Sequence, residues 1–328
     1  MITTPGASPL PSHPSAEDKL NAILVRCEGA YSPRTLSGYR NDLGHFQIWC
    51  QMHATDWLPA HPDAIAEFVD AQIESSRIST IKRRISAITF AHRMADLPEP
   101  TNHSTVRLAL RRASRARAQR SDQVRGLTHD ILSRVLDLRP TTLADLRDAA
   151  LLGVGYDTLC RSSEISLMRI VHLRRDLSGA ISMIIPRSKG DATGKGRVAH
   201  LSPTTAERLK RWLEGAGIVD GSMFQGLHLR RPSGRSLGAS SIRRIVKRVV
   251  QRAGFPKSVA DQFSGHSMRI GAAQDMMVAG FDILAIMQAG GWTTPHVAAR
   301  YVERASTRRL HERRWAALGI NSRVINED

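Results

Sequence analysis

The chain has 328 residues, more than the length at which a single hydrophobic core usually stops growing, so two domains are expected. Its 47 Lys and Arg residues exceed its 30 Asp and Glu residues, and the net charge of +17 favours a polyanionic partner such as DNA or RNA. The composition argues against a transmembrane protein or a disulfide framework, because no apolar run approaches the roughly 18 residues of a membrane span and the three cysteines follow no secretory signal.

The first half of the chain is predicted to be helical. Residues 1–18 contain prolines and small polar residues with few large apolar groups, which predicts a disordered leader. Ser32 followed by Pro33 is typical of a helix start, and apolar residues then recur at spacings of three and four. Residues 19–120 are therefore expected to form a helical domain. Three further helix starts are predicted, at Pro62, near Thr80 and after Ser104.

Arginines are concentrated at the end of this helical half. Asp122 is the one acidic residue among seven of them, which are Arg107, Arg111, Arg112, Arg115, Arg117, Arg120 and Arg125. Residues 121–127 are predicted to be a basic interdomain linker, since a glycine-containing break follows at 126–128. Taken alone, the run is equally compatible with a solvated helix and with a strap along a phosphate backbone. Its position between two basic domains favours a clamp that closes around duplex DNA.

The second half combines helices with a small amount of β structure. A helical pattern runs from Thr128 to Gly155. Residues 180–185 then predict a strand, residues 187–197 a glycine-containing turn and residues 198–201 a returning strand. The whole chain is therefore expected to be mainly α with a small antiparallel β-sheet, which is the α+β class.

A second basic element lies between Ser240 and Gly254. One helical face collects Ile242, Ile245, Val246, Val249 and Val250, and the other collects Arg243, Arg244, Lys247, Arg248 and Arg252. Such a helix is also compatible with a solvated face or a membrane surface, but no bulky aromatic side chain accompanies its apolar face. The pattern favours entry into the DNA major groove from the end that carries Ser240 and Ser241.

Seven side chains of the second half predict phosphodiester chemistry. They are Arg161, Glu164, Lys189, His266, Arg269, Trp292 and Tyr301. Two arginines and a lysine can hold the oxygens of one phosphate, a histidine can hold or move a proton, and a tyrosine hydroxyl can attack phosphorus. Each alone has a structural explanation, since most arginines of so basic a chain face solvent and a lone histidine is usually structural. Together they indicate a nucleic-acid backbone as the substrate.

Short spacings relate these residues in pairs. Glu164 follows Arg161 by one helical turn and is expected to hold the arginine and the histidine in position, not to bind a metal. His266 precedes Arg269 by the same interval, so both side chains can reach one phosphate. The histidine can orient the tyrosine or accept its proton. The planar guanidinium groups of Arg161 and Arg269 can bind the non-bridging phosphate oxygens and stabilise the charge that develops on them.

Trp292 and Tyr301 are expected to lie together. The indole N–H of Trp292 can donate to phosphate, and its ring can pack beneath the helix of the nucleophile. Thr294 and Pro295 are typical of the start of that helix, which would present Tyr301 from a rigid element. Both aromatic residues could equally be core residues. A phenol has a pKa near 10, so surrounding positive charge is needed to favour phenolate in the transition state.

Two sequence runs resemble the signature of the tyrosine recombinases, or phage integrases. They are SGHSMRIGAA at residues 264–273 and MQAGGWT at 287–293, and Tyr301 follows at the spacing of the family's nucleophile. The resemblance extends more loosely over residues 32–318. It implies a two-domain C-shaped DNA clamp, in which a helical core-binding, SAM-like domain precedes a catalytic domain at residues 128–305.

The resemblance also implies a reaction. Tyr301 would cleave one DNA strand at a time through a covalent 3′-phosphotyrosine, and strands would be exchanged through a Holliday junction. Lys189 would give a proton to the departing 5′ oxygen, with Lys195 of the same turn as its rival. Because attack exchanges one phosphoester for another, no ATP, metal or other cofactor is expected. The glycine-containing run at 190–196 is also one residue too short for a P-loop.

The implied partner is double-stranded DNA with an inverted-repeat target site. A free monomer would assemble into a tetramer on two DNA sites, and the C-terminal helix within residues 306–328 would dock on a neighbouring protomer. The implied location is a prokaryotic cytoplasm, with a phage or plasmid as a further origin of the gene. The residues expected to contact DNA are Lys82, Arg83, Arg84, Arg111, Arg112, Arg115, Arg117, Arg120, Ser240, Ser241, Arg243, Arg244 and Lys247.

Two alternative functions remain open at this point. The first is an enzyme with the same nucleophile that nicks and reseals DNA without exchanging partners, such as a type IB topoisomerase or a hairpin telomere resolvase. The second is a non-catalytic repressor or architectural protein that grips DNA without cutting it. The full set of seven side chains disfavours the second, and the run around Trp292 disfavours the first.

Overall fold

A computed structural model of the protein describes residues 15–116, 124–185, 196–303, 305 and 307–319. The chain divides into two compact units, Met1–Ser121 and Asp122–Asp328, which are called unit 1 and unit 2 below. Each unit contains its own cluster of buried hydrophobic residues. In the portion of the chain that the structure describes, no helix is both long and apolar enough to cross a membrane.

Unit 1 is helical throughout its described residues. A short 3₁₀ turn at Pro100–Asn102 precedes the last of five helices, which are α1 (Ala16–Arg26), α2 (Pro33–Met52), α3 (Pro62–Asp70), α4 (Ile78–Met94) and α5 (Ser104–Ala116). Helix α1 begins inside the segment 1–18 for which a disordered leader was predicted. The reason is local, because Ser15 and Asp18 form a reciprocal capping box at its first turn. Residues 1–14 lie outside the described residues.

The helix starts predicted for unit 1 are confirmed. Ser32 caps α2, where its hydroxyl accepts a hydrogen bond from the backbone N–H of Thr35, and Pro33 occupies the first turn. The apolar stripe of this helix is core, since Leu43 and Phe46 are fully buried. Helix α4 likewise buries its isoleucines at 81, 85 and 88, which pack into the same core.

Unit 2 surrounds a small amount of β structure with helices. Its described helices are α6 (His129–Leu136), α7 (Leu143–Asp157), α8 (Ser162–Ile165), α9 (Pro203–Ala216), α10 (Ala239–Arg252), α11 (Lys257–Ala260), α12 (Ser267–Ala279), α13 (Ile283–Gly290), α14 (Pro295–Val302) and α15 (Thr307–Ala317), with a 3₁₀ turn at Ile170–His172. Its described strands are β1 (Leu173–Arg175), β2 (Ile181–Ile185), β3 (Arg197–His200), β4 (Gln225–His228) and β5 (Arg231–Ser236).

The strands form two antiparallel sheets. One sheet has the order β1-β2-β3, with Ile185 of β2 opposite Arg197 of β3. The other sheet is the hairpin β4-β5. The antiparallel α+β class and the strand pair at 180–185 and 198–201 are confirmed, within one residue at each end. Most of the predicted turn lies outside the described residues.

Close packing around α12 positions the later part of unit 2. Leu127 donates its backbone N–H to the carbonyl of Ser267 at 2.8 Å, so the chain that enters unit 2 runs directly against this helix. Gly271 allows that approach, because a Cβ at this position would collide with the backbone of Leu127 and Thr128. Helix α12 also contacts α7, α13 and α14, and it is therefore fixed from several sides.

Candidate active site

Arg161 lies at the start of helix α8 and is held by Glu164. Its Nη1 donates to Oε1 of Glu164 at 2.6 Å, and its backbone N–H donates to Oε2 of the same carboxylate at 2.9 Å. Glu164 is only 4% exposed, so its charge is compensated by these two donors. The carboxylate therefore fixes both the backbone and the side chain of Arg161, as the one-turn spacing predicts.

Arg269 is completely buried in helix α12. Its Nη1 donates to the carbonyl of Leu159 at 2.5 Å, and its guanidinium carbon lies 4.1 Å from the ring centroid of Trp292. Within the described ranges, its Nε and Nη2 have no hydrogen-bond partner. Burial, followed by the nearby charge of Arg161, lowers the pKa of Arg269 to about 10, so the group stays cationic at neutral pH. Two donor nitrogens of this buried cation are thus without an acceptor among the described residues.

His266 and Tyr301 form a hydrogen-bonded pair. His266 Nε2 lies 2.9 Å from the hydroxyl oxygen of Tyr301. Burial and the positive charges of Arg269 and Arg161 lower the pKa of His266, so the imidazole is neutral at neutral pH. A neutral imidazole whose Nε2 is unprotonated can accept the phenol proton. In the tautomer protonated at Nδ1, Nε2 accepts this hydrogen bond and Tyr301 donates it.

Trp292 and Tyr301 pack against one another, as expected from the sequence. Their ring centroids lie 4.7 Å apart, and the guanidinium carbon of Arg269 lies 5.4 Å from the Tyr301 ring. Trp292 is 6% exposed, and its Nε1 is without a hydrogen-bond partner among the described residues. Gly290 is required beside it, because any Cβ there would overlap the indole ring. The indole ring of Trp292 therefore packs against Tyr301, while its N–H is available as a hydrogen-bond donor.

Helix α14 presents Tyr301 near its C-terminal end. Pro295 occupies its first turn and Thr294 its N-cap position, as predicted, but the Thr294 side chain makes no capping hydrogen bond. Ala298 is the fully buried residue of this helix, and it joins Trp292 in a small hydrophobic cluster. Tyr301 itself is partly exposed.

Lys189, with Lys195 as its rival, is the last of the predicted catalytic residues. Lys189 and Lys195 both lie outside the described residues, so the choice between them for the leaving-group proton stays a prediction.

Arg197, two residues after Lys195, was not among the predicted site residues, although its side chain contacts the backbone close to Arg161 and to Trp292. Its charge is one of the influences on the pKa of Arg269, after burial and Arg161. No short motif marks it, because its importance comes from distant backbone contacts.

The residues predicted to contact DNA are distributed over both units. Arg117 and Arg120 lie outside the described residues. Arg84, Ser241 and Lys247 are partly buried. The remaining predicted contacts are exposed, namely Lys82, Arg83, Arg111, Arg112, Arg115, Ser240, Arg243 and Arg244.

Several of these cations have partners inside their own unit. Arg83 makes two hydrogen bonds, at 2.6 and 2.8 Å, to the buried carboxylate of Asp42, which needs this compensation. Arg84 donates to Gln72 at 2.5 Å. The ion pairs of Arg112 with Asp70 and of Lys247 with Asp261 lie at the surface, where ion pairs contribute little to stability, so DNA phosphates can compete for these two cations.

Comparison with known protein families assigns both halves of the chain. The phage integrase family matches residues 120–308, and the N-terminal SAM-like domain of phage integrases matches residues 24–95. The chain belongs to the phage integrase family. It is a tyrosine site-specific recombinase, and neither the topoisomerase-like alternative nor the non-catalytic one is favoured.

Individual relatives agree with this assignment. Recombinase Cre of Escherichia phage P1 is 27% identical over 296 residues, which cover 85% of this recombinase and 86% of Cre. An integrase/recombinase XerD homologue of Selenomonas ruminantium is 29% identical over 295 residues, which cover 86% and 84% of the two chains. The resemblance predicted from the two sequence runs is thereby confirmed for nearly the whole chain.

Solved structures of the family share the fold. The XerH site-specific recombinase, in a post-cleavage complex with a palindromic difH substrate, superposes with a TM-score of 0.63 at 17% identity and covers 92% of this recombinase and 83% of XerH. A lambda integrase (75–356) dimer bound to a COC′ core site gives a TM-score of 0.59 at 15% identity, with coverage of 89% and 96%. At these identities, the likeness concerns the fold.

Proposed function

We propose that Tyr301 is the nucleophile of this recombinase and that it cleaves one DNA strand by attacking a backbone phosphodiester. The phenol oxygen forms a bond to phosphorus and the bond to the 5′ oxygen breaks, which leaves the 3′ end joined to the protein as a phosphotyrosine. The released 5′ hydroxyl of a partner strand reverses the same exchange. The number of phosphoester bonds is unchanged, so rejoining requires no external energy source.

The observation that carries this proposal is the 2.9 Å contact between His266 Nε2 and the Tyr301 hydroxyl, next to the buried guanidinium of Arg269. A hydroxyl that donates to a neutral imidazole can lose its proton as the bond to phosphorus forms. The cationic side chains then stabilise both the developing phenolate and the extra charge on the phosphate oxygens.

Three residues, Arg269, Trp292 and Arg161, are proposed to donate hydrogen bonds to the non-bridging phosphate oxygens. Arg269 offers Nε and Nη2, and Trp292 offers Nε1, all of them buried and without hydrogen-bond partners among the described residues. Arg161 offers the edge of its guanidinium that does not face Glu164, and 26% of its side chain is exposed. Lys189 is proposed as the donor of a proton to the leaving 5′ oxygen, with Lys195 as the alternative. Glu164 acts through Arg161.

Double-stranded DNA is the proposed partner, with both units taking part. Among proteins of the same fold, XerH has been solved bound to a palindromic difH substrate and lambda integrase bound to a COC′ core site. We extend this to an inverted-repeat target and to a tetramer that assembles on two such sites, in a cytoplasm where the DNA is accessible. Residues 19–120 are proposed as the core-binding domain and 128–305 as the catalytic domain, with 306–328 docking on a neighbouring protomer.

The proposed nucleophile can be tested with a nicked suicide substrate, from which a short fragment diffuses away after cleavage and prevents rejoining. Wild-type protein is expected to form a covalent adduct in the presence of EDTA, visible as a slower band on a denaturing gel. Tyr301→Phe is expected to bind the same DNA with unchanged affinity and to form no adduct. Tyr31→Phe in unit 1 is the matched control and should behave like the wild type.

Peptide mapping of the adduct completes the test. DNA attached to the peptide that contains Tyr301 supports the proposal. An adduct that persists in Tyr301→Phe, or a wild-type protein that forms none on a substrate it binds, would refute it.

A further inference from the structure

Arg197 joins three segments of the chain that are distant in sequence. It is the first residue of strand β3, and its side chain is partly buried. Its Nη1 donates to the carbonyl of Ala289 at 2.9 Å, and its Nη2 donates to the carbonyl of Thr158 at 2.5 Å. The same Nη2 lies 3.4 Å from the sulfur of Cys160. A single guanidinium thus contacts the backbone before Arg161 and the backbone before Trp292.

The segment before Arg161 turns sharply at Leu159. Leu159 has a φ of 50°, which lies in the left-handed region that is unfavourable for residues other than glycine. Two arginines hold this turn, since the carbonyl of Thr158 accepts from Arg197 and the carbonyl of Leu159 accepts from Arg269. Arg161 follows two residues later, so its position depends on how firmly this turn is held.

The segment before Trp292 is the end of helix α13. Ala289 belongs to the last turn of that helix, where carbonyls lack intrahelical partners and the helix dipole favours a cation. Gly291, with a φ of 66°, ends the helix in the left-handed conformation. A Cβ at Gly291 would lie 3.0 Å from Cδ of Arg197, so the glycine also lets the arginine stem pack against the backbone. Trp292 is the next residue.

We propose that Arg197 is a positioning residue, which ties the backbone before Arg161 to the backbone before Trp292 and so sets the spacing of the two groups that receive the scissile phosphate. The proposal rests on the proposed function of those groups. Arg197 touches neither the substrate nor Tyr301 in this scheme. It acts through the two carbonyls that it holds.

An arginine suits this role for a geometric reason. The two acceptor carbonyls belong to different elements, and a planar guanidinium presents separate N–H groups to each of them at fixed angles. A lysine ammonium keeps the charge but carries it on one atom, so it satisfies both carbonyls less well. Arg197→Lys should therefore fall between the wild type and Arg197→Ala, which removes both contacts.

Single-turnover cleavage of the nicked suicide substrate, at saturating protein, separates chemistry from binding. Arg197→Ala is expected to form the covalent adduct about 10- to 100-fold more slowly, because small misplacements of reacting groups have effects of this size. Its dissociation constant for the DNA should stay within about twofold of the wild type, since no DNA contact is removed. Arg175→Ala, which removes an exposed arginine from the same sheet, is the charge-matched control and should not change the rate.

A double-mutant cycle with Trp292→Phe tests the route of the effect. Trp292→Phe removes the indole N–H and retains an aromatic ring. If Arg197 acts by placing Trp292, the two substitutions together should slow adduct formation by clearly less than the product of their separate effects. Multiplicative effects would overturn the proposal, because they would mean that Arg197 acts independently of Trp292.

A substrate in which sulfur replaces the 5′ bridging oxygen distinguishes a positioning role of Arg197 from a role in protonating the leaving group. A thiolate leaves without needing a proton, so it restores variants that impair protonation of the leaving group. Arg197→Ala should be slowed equally on the oxygen and sulfur substrates. Selective rescue by sulfur would overturn the proposal and assign Arg197 to the leaving-group side.

Different results would refute the positioning role of Arg197 and the proposed function of Tyr301. Absence of an adduct with wild-type protein would refute the function of Tyr301. A normal wild-type adduct together with an unaffected Arg197→Ala rate would refute the role of Arg197 alone. Circular dichroism and thermal unfolding show which variants are folded, and if Arg197→Ala is unfolded, the same three measurements apply to Arg197→Lys.

Discussion

Arg269 and His266 show how two neighbouring residues obtain different charges in one small site. Among the described residues, no carboxylate is bonded to the fully buried Arg269, and its hydrogen bond to Leu159 uses only one of its donors. A buried cation of this kind is costly unless an anion completes it. Its charge in turn disfavours protonation of His266. The arrangement therefore places a buried cation beside a neutral imidazole, as the proposed roles of Arg269 in binding phosphate and of His266 in accepting the phenol proton require.

The pH dependence of adduct formation should reveal the state of His266. The imidazole must be neutral to accept the phenol proton, and its pKa lies below the usual 6.5. The single-turnover rate is therefore expected to stay constant as the pH falls from 8 to 6.5 and to decline only below that value. His266→Gln should lack this acidic decline. A midpoint at or above pH 6.5 in the wild type would contradict the lowered pKa of His266.

The residues of the candidate site differ in how far the sequence alone could predict their contacts. Glu164 and Arg161 are one helical turn apart, and their ion pair follows from that spacing. Arg197 could not be found in the same way. Its acceptors are backbone carbonyls 39 and 92 residues away, and a carbonyl carries no mark in the sequence.

Helix α12 connects the site to the rest of unit 2. It begins just after His266, which occupies its N-cap position, and carries Arg269 on the face that is turned inward. Leu127 and Thr128 cross it so closely that only a glycine fits at position 271. Residues 264–273 therefore combine tight packing at Gly271 with the proposed catalytic residues His266 and Arg269, and the run contains small residues as well as the histidine and arginine.

Substitution of Gly271 should expose this packing constraint. Gly271→Ala places a methyl group against backbone atoms of Leu127, which cannot rotate away as a side chain can, and is expected to destabilise unit 2 by about 1–3 kcal/mol or more. Gly44→Ala in helix α2 is the control, because its Cβ would meet nothing within 4 Å and alanine favours a helix by about 0.5–1 kcal/mol. Urea unfolding measures both changes. Equal stability of Gly271→Ala and the wild type would contradict the close approach.

Periodicity identified some elements and missed others. Helix α10 was predicted with its boundaries and its buried face, because its aliphatic residues recur at helical spacing. The hairpin β4-β5 was missed, since β5 is largely exposed and contains proline and glycine, so it shows no alternation. Helix α9 was also missed, although Ser202 and Pro203 at its start are a readable signal.

The charge of the whole molecule is distributed between internal pairs and free surface. Some arginines compensate buried carboxylates, as Arg83 does for Asp42 and Arg248 does for Asp148. Such residues add to the net charge of +17 while their hydrogen bonds are directed inward. The net charge therefore indicates attraction to DNA at long range, and it does not by itself say which arginines touch the phosphates.

The salt dependence of binding measures how many phosphates the whole protein contacts. About six contacts or more are expected, which gives a slope of roughly −5 or steeper when log affinity is plotted against log salt concentration. Arg111→Ala should reduce the slope by about 1, because the exposed Arg111 is a predicted phosphate contact. Tyr301→Phe should leave the slope unchanged. A slope flatter than about −2 would contradict a largely electrostatic interface.

The sequence by itself determined the helix starts, the buried stripes, the α+β class and the family, since each depends on residues that are neighbours along the chain. Only the tertiary structure decided that His266 bonds to Tyr301, 35 residues away, that Arg269 is completely buried, and that Arg197 joins two backbone segments. The physical reason is that these contacts are made between packed elements. Their existence depends on how α7, α12, α13 and α14 meet in space, which no local pattern specifies.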